Sequence, residues 1–151
     1  MERTLIILKP DAVQRRLMGR IITRFEEKGF KIIAAKFVHI DRAMAQKHYA
    51  VHKNETFYES LLEFITRGPV LAFVLEAENA IEVSRKMMGS TFGHEAEPGT
   101  IRGDFGISRQ YNLIHGSDAP ETALKEIKLW FKPEELVDYE MPDRSWLEMG
   151  K

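Results

Sequence analysis

Cysteine is missing from all 151 positions, which removes disulfides, thiolate nucleophiles and cysteine-bearing zinc sites together. The absence fits a reducing compartment, and a cytoplasmic location is the expectation. A surplus of one charge is missing too. Against 22 Lys and Arg stand 23 Asp and Glu, a formal net charge of −1, so no global basic field invites nucleic acid as a partner. No apolar run approaches the ~20 residues of a membrane span. The stretch after Met1-Glu2-Arg3 is broken at Lys9-Pro10-Asp11, too early for a secretory leader. Neither a Walker-type phosphate loop nor a glycine-rich dinucleotide fingerprint occurs. Internal repeats, low-complexity tracts and long linkers are absent as well.

What remains is ordinary soluble material: 44% hydrophobic and 30% charged residues. A chain this long favours one domain and buries roughly 70% of its unfolded surface without staples. The expectation is a single domain over 1–151, with 133–151 as a C-terminal tail.

Thr4 to Lys9 is apolar and β-branched and reads as a buried strand ending at Pro10. Leu17, Met18, Ile21, Ile22 and Phe25 recur at helical spacing, with Gly29 as a stop. Phe30 to Ile40 is strand-like. Asp41 caps a helix running through Ala45 and Tyr49, and a second helical piece spans about Phe57 to Ile65. Gly68-Pro69 turns the chain into a strand over Val70–Leu75, and Asn79 opens a helix to about Met88. From Ser90 to Arg109 periodicity is lost, and an irregular segment this long in a compact domain points to function or disorder. Asn112 to His115 forms a last strand. Asp118 as N-cap, with Pro120 and Glu121, starts a helix whose apolar face is Ala123, Leu124, Ile127, Trp130 and Phe131. In the tail, Trp146 and Leu147 are expected to dock. Alternating strands and helices suit either a parallel doubly wound sheet or a split β-α-β arrangement with helices on one face of an antiparallel sheet.

His115 follows the apolar pair Leu113-Ile114. A histidine so placed is more often a packing residue than a reactive one. Three features argue for reactivity: Gly116 directly after it, a helix start three residues on, and Glu126 further along that helix. Glu126 stands about 12 Å of helix beyond Asp118, so it meets His115 only if the helix folds back beside the strand. There a carboxylate would orient the ring and set its tautomer; alone, Glu126 reads as an exposed helix residue. Lys9 closes a strand, where ligand-facing groups often sit, and an ammonium suits phosphate as a point charge. Arg102, between turn-forming residues, reads as displayed rather than packed, its planar fork open to phosphate oxygens. Arg85 and Thr91 flank the preceding helix end. Each of these, singly, is a routine surface residue.

Taken together, Leu8-Lys9-Pro10-Asp11-Ala12-Val13, Pro98-Gly99-Thr100-Ile101-Arg102-Gly103-Asp104-Phe105 and Asn112-Leu113-Ile114-His115-Gly116-Ser117-Asp118 closely resemble the signatures of nucleoside diphosphate kinases. The resemblance runs in order from about residue 3 to Leu136. It implies an α+β, ferredoxin-like fold, a four-stranded antiparallel sheet covered by helices. It implies transfer of a γ-phosphoryl group from nucleoside triphosphates to nucleoside diphosphates by a ping-pong route through phosphorylated His115. Glu126 matches the carboxylate that orients the histidine, and Lys9 and Tyr49 complete the catalytic set. Lys9, Phe57, Leu61, Arg85, Thr91, Arg102, Arg109 and Asn112 match nucleotide contacts, Phe57 as the aromatic on which the base stacks. Ser117 matches a serine beside the histidine, and Asp118 lies near the metal. The implied cofactor is Mg²⁺, held mainly by the nucleotide phosphates rather than by protein ligands. The tail through Leu136-Val137-Asp138-Tyr139 to Trp146 resembles that of hexameric members, so a homohexamer is expected.

Three departures accompany the match. Phe92-Gly93 replaces a common Asn-Pro, Thr56 replaces a proline before Phe57, and Arg109-Gln110-Tyr111 replaces a Val-Gly-Arg-like stretch. The competing expectation is a catalytically silent relative that only binds nucleotide or nucleic acid.

Overall fold

The computed structural model describes residues 1–148. Four strands, β1 (Glu2–Leu8), β2 (Lys31–Val38), β3 (Val70–Ala77) and β4 (Ile114–Gly116), form one antiparallel sheet in the order β2-β3-β1-β4. This is the ferredoxin-like α+β arrangement and not the parallel doubly wound sheet. The central strand β1 places Leu5 and Ile7 in one fully buried cluster and Ile6 and Leu8 in another. Alternate side chains of a strand point to opposite faces, so both faces of this sheet need cover.

The helices supply it, and they lie on both faces rather than one. On the Ile6 side pack α2 (Met18–Lys28) through Ile21 and Phe25, and α5 (Ala80–Met88) through Ala80 and Met88. On the Leu5 side pack α3 (Arg42–His48), α4 (Tyr58–Thr66) and α7 (Pro120–Trp130), through Ala45, Leu62, Ile65, Ile127 and Trp130. Short helices α1 (Pro10–Gln14) and α6 (Ile101–Phe105), and α8 (Arg144–Leu147) in the tail, complete the list.

Several local signals act as expected. Gly29 ends α2 in the left-handed region, at φ 108°, where a Cβ would be strained. Asp41 caps α3 by accepting the Met44 N–H at 2.9 Å. Others differ. The N-cap of α7 is Ala119, not Asp118, because Pro120 takes the first helical position. Asn79 holds the N-cap position of α5, but the Ile81 N–H goes to the Glu2 carboxylate, 2.8 Å away. In the tail, Leu147 packs against Gly29, whereas Trp146 remains 87% exposed.

Candidate active site

The site forms where the C-terminal end of β1 meets β4. Ile7 pairs with His115 in the sheet, and the ladder runs on as the Lys9 N–H donates to the Leu113 carbonyl at 2.8 Å. Lys9 is therefore the N-cap of α1 rather than the last residue of a strand. Leu113 adopts φ 71°, a conformation that is costly for a residue with a Cβ. Its own N–H is caught by Asp11 Oδ2 at 3.1 Å. Held from both sides, this residue turns the chain between Asn112 and His115. Asp11 was not among the residues singled out in the sequence; its place beside Lys9-Pro10 is the signal that could have found it.

The helix α7 does fold back along β1. Glu126 places both carboxylate oxygens on His115 Nε2, at 3.1 and 3.0 Å. Ser117 Oγ donates to Glu126 Oε1 at 2.6 Å and accepts the Leu5 N–H at 3.2 Å. A backbone amide, a hydroxyl and a carboxylate thus brace one imidazole. A carboxylate accepts and does not donate, so Nε2 carries a proton, and in the neutral ring the lone pair is on Nδ1.

Around this core gathers positive charge. Lys9 Nζ donates to Asn112 Oδ1 at 2.8 Å, and Asn112 Nδ2 donates to the Thr91 carbonyl at 3.1 Å. Lys9 is 6% exposed. Burial, and then the nearby Arg102 cation, lower its pKa to about 7, with Asp11 pulling the other way.

Arg102 corrects the sequence reading most sharply: it is packed, not displayed, at 7% exposure. Its Nε donates to the Asn112 carbonyl at 3.2 Å, Nη1 to Gly89 at 3.0 Å and Nη2 to Ile114 at 2.6 Å. Helix α6, which lies inside the segment read as irregular, aims it there. Thr100 caps that helix by accepting the Gly103 N–H at 3.0 Å. Burial, and then Arg85, lower the Arg102 pKa to about 10. Arg85 Nη1 reaches the Gly116 carbonyl at 3.3 Å.

A run of rings links the histidine to the head of α4. His115 meets His48 at 4.6 Å between centroids, His48 meets Tyr49 at 4.7 Å, Tyr49 meets His52 at 6.3 Å and His52 meets Phe57 at 5.4 Å. Burial, with Glu126 nearby, raises the Tyr49 hydroxyl. Phe57 is 45% exposed, a free aromatic face, and Leu61 packs partly against the core below it. Arg109 lies over the Phe92 ring at 4.8 Å, so two of the departing residues pair with each other. Gly93 lies directly against the Gly106 backbone, and a Cβ there would collide with that carbonyl.

His48, Glu126 and His115 also form a cluster whose nitrogen and oxygen atoms lie within 4.8 Å of one another. Two imidazoles and one carboxylate suit Mg²⁺ poorly, since that ion takes oxygen ligands in tight octahedral geometry. The pairs His115–Glu126 and Trp130–His48 already commit these atoms to hydrogen bonds. The protein offers Mg²⁺ no cage among the described residues.

Comparison with known proteins shows what the chain is similar to. Residues 2–136 match the family model described as nucleoside diphosphate kinase. A nucleoside diphosphate kinase of Staphylococcus epidermidis is 52% identical over 147 residues, covering 97% of this chain and 99% of that one. A halophilic nucleoside diphosphate kinase from Halobacterium salinarum, solved in complex with CDP, superposes with a TM-score of 0.94 at 46% identity, covering 96% of this chain and 97% of that one. A nucleoside-diphosphate kinase from Borrelia burgdorferi, solved as a transition state mimic with bound vanadate and ADP, superposes with a TM-score of 0.90 at 40% identity over 97% and 96% of the chains.

Proposed function

The chain belongs to the nucleoside diphosphate kinase family, and from that premise we propose that it moves the γ-phosphoryl group between nucleotides in two steps through His115. The observation that carries this reading is the bracing of His115 Nε2 by Glu126, which leaves Nδ1 as the nucleophilic nitrogen. In the first step Nδ1 bonds to the γ-phosphorus as the bond to the bridging oxygen breaks, and a nucleoside diphosphate leaves. The imidazolium charge that develops falls on Nε2–H, where Glu126 receives it. In the second step an acceptor diphosphate takes the group back from Nδ1, and the neutral ring returns.

Lys9, Arg85 and Arg102 supply the positive field for the phosphate oxygens. Positioning and charge stabilisation are the main demands of phosphoryl transfer. Asn112 and Lys9 would face the sugar hydroxyls, and Phe57 the base. Thr91, Tyr49, Leu61 and Arg109 fill the remaining nucleotide-facing positions. Mg²⁺ carried by the nucleotide phosphates would neutralise part of their charge, beside the positive groups of Lys9, Arg85 and Arg102. No helix among the described residues is long and apolar enough to cross a membrane, and the lack of cysteine supports a cytoplasmic setting.

The test is direct. Incubation with γ-labelled ATP should leave acid-labile, base-stable label that mass spectrometry places on His115, and His115→Ala should abolish it while nucleotide still binds. Label at another histidine overturns the choice of nucleophile, and no label at all overturns the reading and leaves a silent nucleotide-binding relative.

Exposed apolar residues on the tail, Val137, Tyr139, Met141 and Trp146, support assembly, and a homohexamer is the proposed state. Light scattering that finds a stable monomer at micromolar concentration would refute assembly; a tetramer would refute only the hexamer.

A further inference from the structure

His48 belongs to none of the sequence signatures, yet it sits at the centre of the site. Its side chain is 1% exposed. Its ring meets His115 nearly edge-on, 80° between planes at 4.6 Å. Trp130 Nε1–H donates to its Nδ1 at 3.1 Å. An indole nitrogen only donates, so Nδ1 must hold a lone pair and the proton sits on Nε2. That Nε2 is buried without a hydrogen-bond partner.

The protonation state of this ring matters because of what surrounds it. His48 is the last residue of α3, and a helix C-terminus favours a cation. Glu126 Oε2 lies 3.9 Å from Nδ1, close enough to draw a charged imidazole. Burial opposes that charge most, and His115, Lys9 and His52 oppose it further from their own elements. Tyr49 adds an uncharged wall. Trp130 adds a geometric constraint: protonating Nδ1 would set two N–H groups head to head inside the core. A charged His48 would also compete with His115 for the same carboxylate.

We propose that His48 is a positioning residue for the phosphoryl-carrying ring, kept neutral by its burial and held in the Nε2–H form by Trp130, so that Glu126 serves His115 alone. The proposal rests on the reading of His115 as nucleophile. It assigns to the Trp130 indole N–H a role in the pH range over which the enzyme works, beyond the packing its ring provides.

Trp130→Phe removes the donor and keeps most of the ring. Burial still opposes a charge on His48, but Nδ1 then faces Glu126 at 3.9 Å with no donor against it. The ring therefore takes a proton at higher pH than in the wild type, and the acid limb of the kcat profile should move up by about one pH unit, the usual scale of such perturbations. Below the limb, kcat should fall by up to about 100-fold as His115 loses its fixed orientation. KM should change little, because no nucleotide contact is lost. The double variant Trp130→Phe/His48→Phe cannot protonate at this position, and its limb should return to the wild-type pH even if its plateau is lower. A packing role alone would lower the plateau at all pH values in both variants and leave the limb in place, and that result overturns the proposal.

Should either variant fold poorly, ¹⁵N NMR of the wild-type protein decides. His48 should show a protonated Nε2 and an unprotonated Nδ1 that does not titrate near pH 7. An imidazolium or an Nδ1–H form there overturns the proposal. The phosphate label is located in the same preparations. Label away from His115 sinks the nucleophile reading, whereas an unmoved limb with His115 labelled sinks only the role given to His48.

Discussion

The Lys9 side-chain nitrogen meets the Asn112 side-chain oxygen, Oδ1, at 2.8 Å although 103 residues separate them. The contact is buried, with the Phe64 ring 5.6 Å from the nitrogen. It joins the first strand to the loop before the histidine, and it takes a titratable group out of water.

The first prediction concerns that group. Burial lowers Lys9 from 10.5 to about 7, so the free fold lacks a proton that a polyphosphate would restore. Nucleotide binding at about pH 8 should therefore take up protons. Calorimetry in buffers of different ionisation enthalpy measures the uptake, and Lys9→Met should remove it. Binding without proton exchange would contradict the lowered value. The sign for stability follows from the same shift. Between the two values the unfolded chain holds a proton the fold does not. The stability associated with a neutral Lys9 is complete above the unfolded value and is lost as pH falls through about 7. Lys9→Met should thus stabilise the free protein more at pH 6 than at pH 10.

A second prediction isolates the brace on the nucleophile. Glu126→Gln keeps the shape and removes the charge, and one face of its amide offers a donor to Nε2 instead of an acceptor. Turnover should fall by ~10- to 1000-fold, the range expected for lost positioning and charge stabilisation. Ser117→Ala, which loosens the carboxylate without removing it, should cost less. Steady-state kinetics checks both, and unchanged turnover in Glu126→Gln would make the carboxylate a bystander.

Arg102 offers a third. Its three carbonyl partners come from Gly89, Asn112 and Ile114, so it ties the end of α5 to the histidine strand. Arg102→Lys has no planar fork and abandons at least two of these acceptors in the core. The expected loss is about 2–4 kcal/mol of unfolding free energy, from buried acceptors left without donors. Urea denaturation measures it. A change inside ~0.5 kcal/mol, typical of surface sites, would mean the side chain is displayed after all.

The fourth prediction is breadth toward bases. Phe57 offers a stacking face, and stacking accepts every base. ADP, GDP, CDP and UDP should all serve as acceptors, with kcat/KM values within ~100-fold because stacking differences are worth only ~1–3 kcal/mol. Arg109 is the candidate edge-reading group among the proposed nucleotide-facing positions, but the Phe92 ring already engages it. A preference above ~1000-fold would show that Arg109 leaves Phe92 to read a base edge, and Arg109→Ala should then erase it.

Much of this architecture is legible in the chain because its signals are local. Asp41 caps the helix it precedes, and Gly29 stops the helix it follows. The apolar run after Thr4 marks the central strand, and the motif around His115 marks the chemistry. What escapes is either too short or too distant to leave a pattern. Helices α1 and α6 have five residues each, little more than one turn, so no periodicity can develop. Glycine, proline and threonine around Arg102 describe a turn, and they do so correctly. They say nothing of the three carbonyls waiting beneath it, two of which lie beyond the turn in β4 and the residues before it. The pair His48–Trp130 spans 82 residues; before folding, one is a helix-end histidine and the other an apolar-face aromatic.

The pairing of β1 with β4 has a consequence for the chain as it is made. Leu5 and Ser117 share a hydrogen bond across 112 positions, and His115 lies opposite Ile7 in the same ladder. A ribosome delivers β1 first and β4 long afterwards, when most of the molecule has already left the exit tunnel. Until then one edge of β1 has open amides and carbonyls, the kind of edge that recruits neighbouring chains. The residues that pair along that edge include His115, the proposed nucleophile. A nascent chain therefore closes its sheet with the same segment that sets His115 in place, and one stalled before His115 has neither, with Glu126 still to follow on α7.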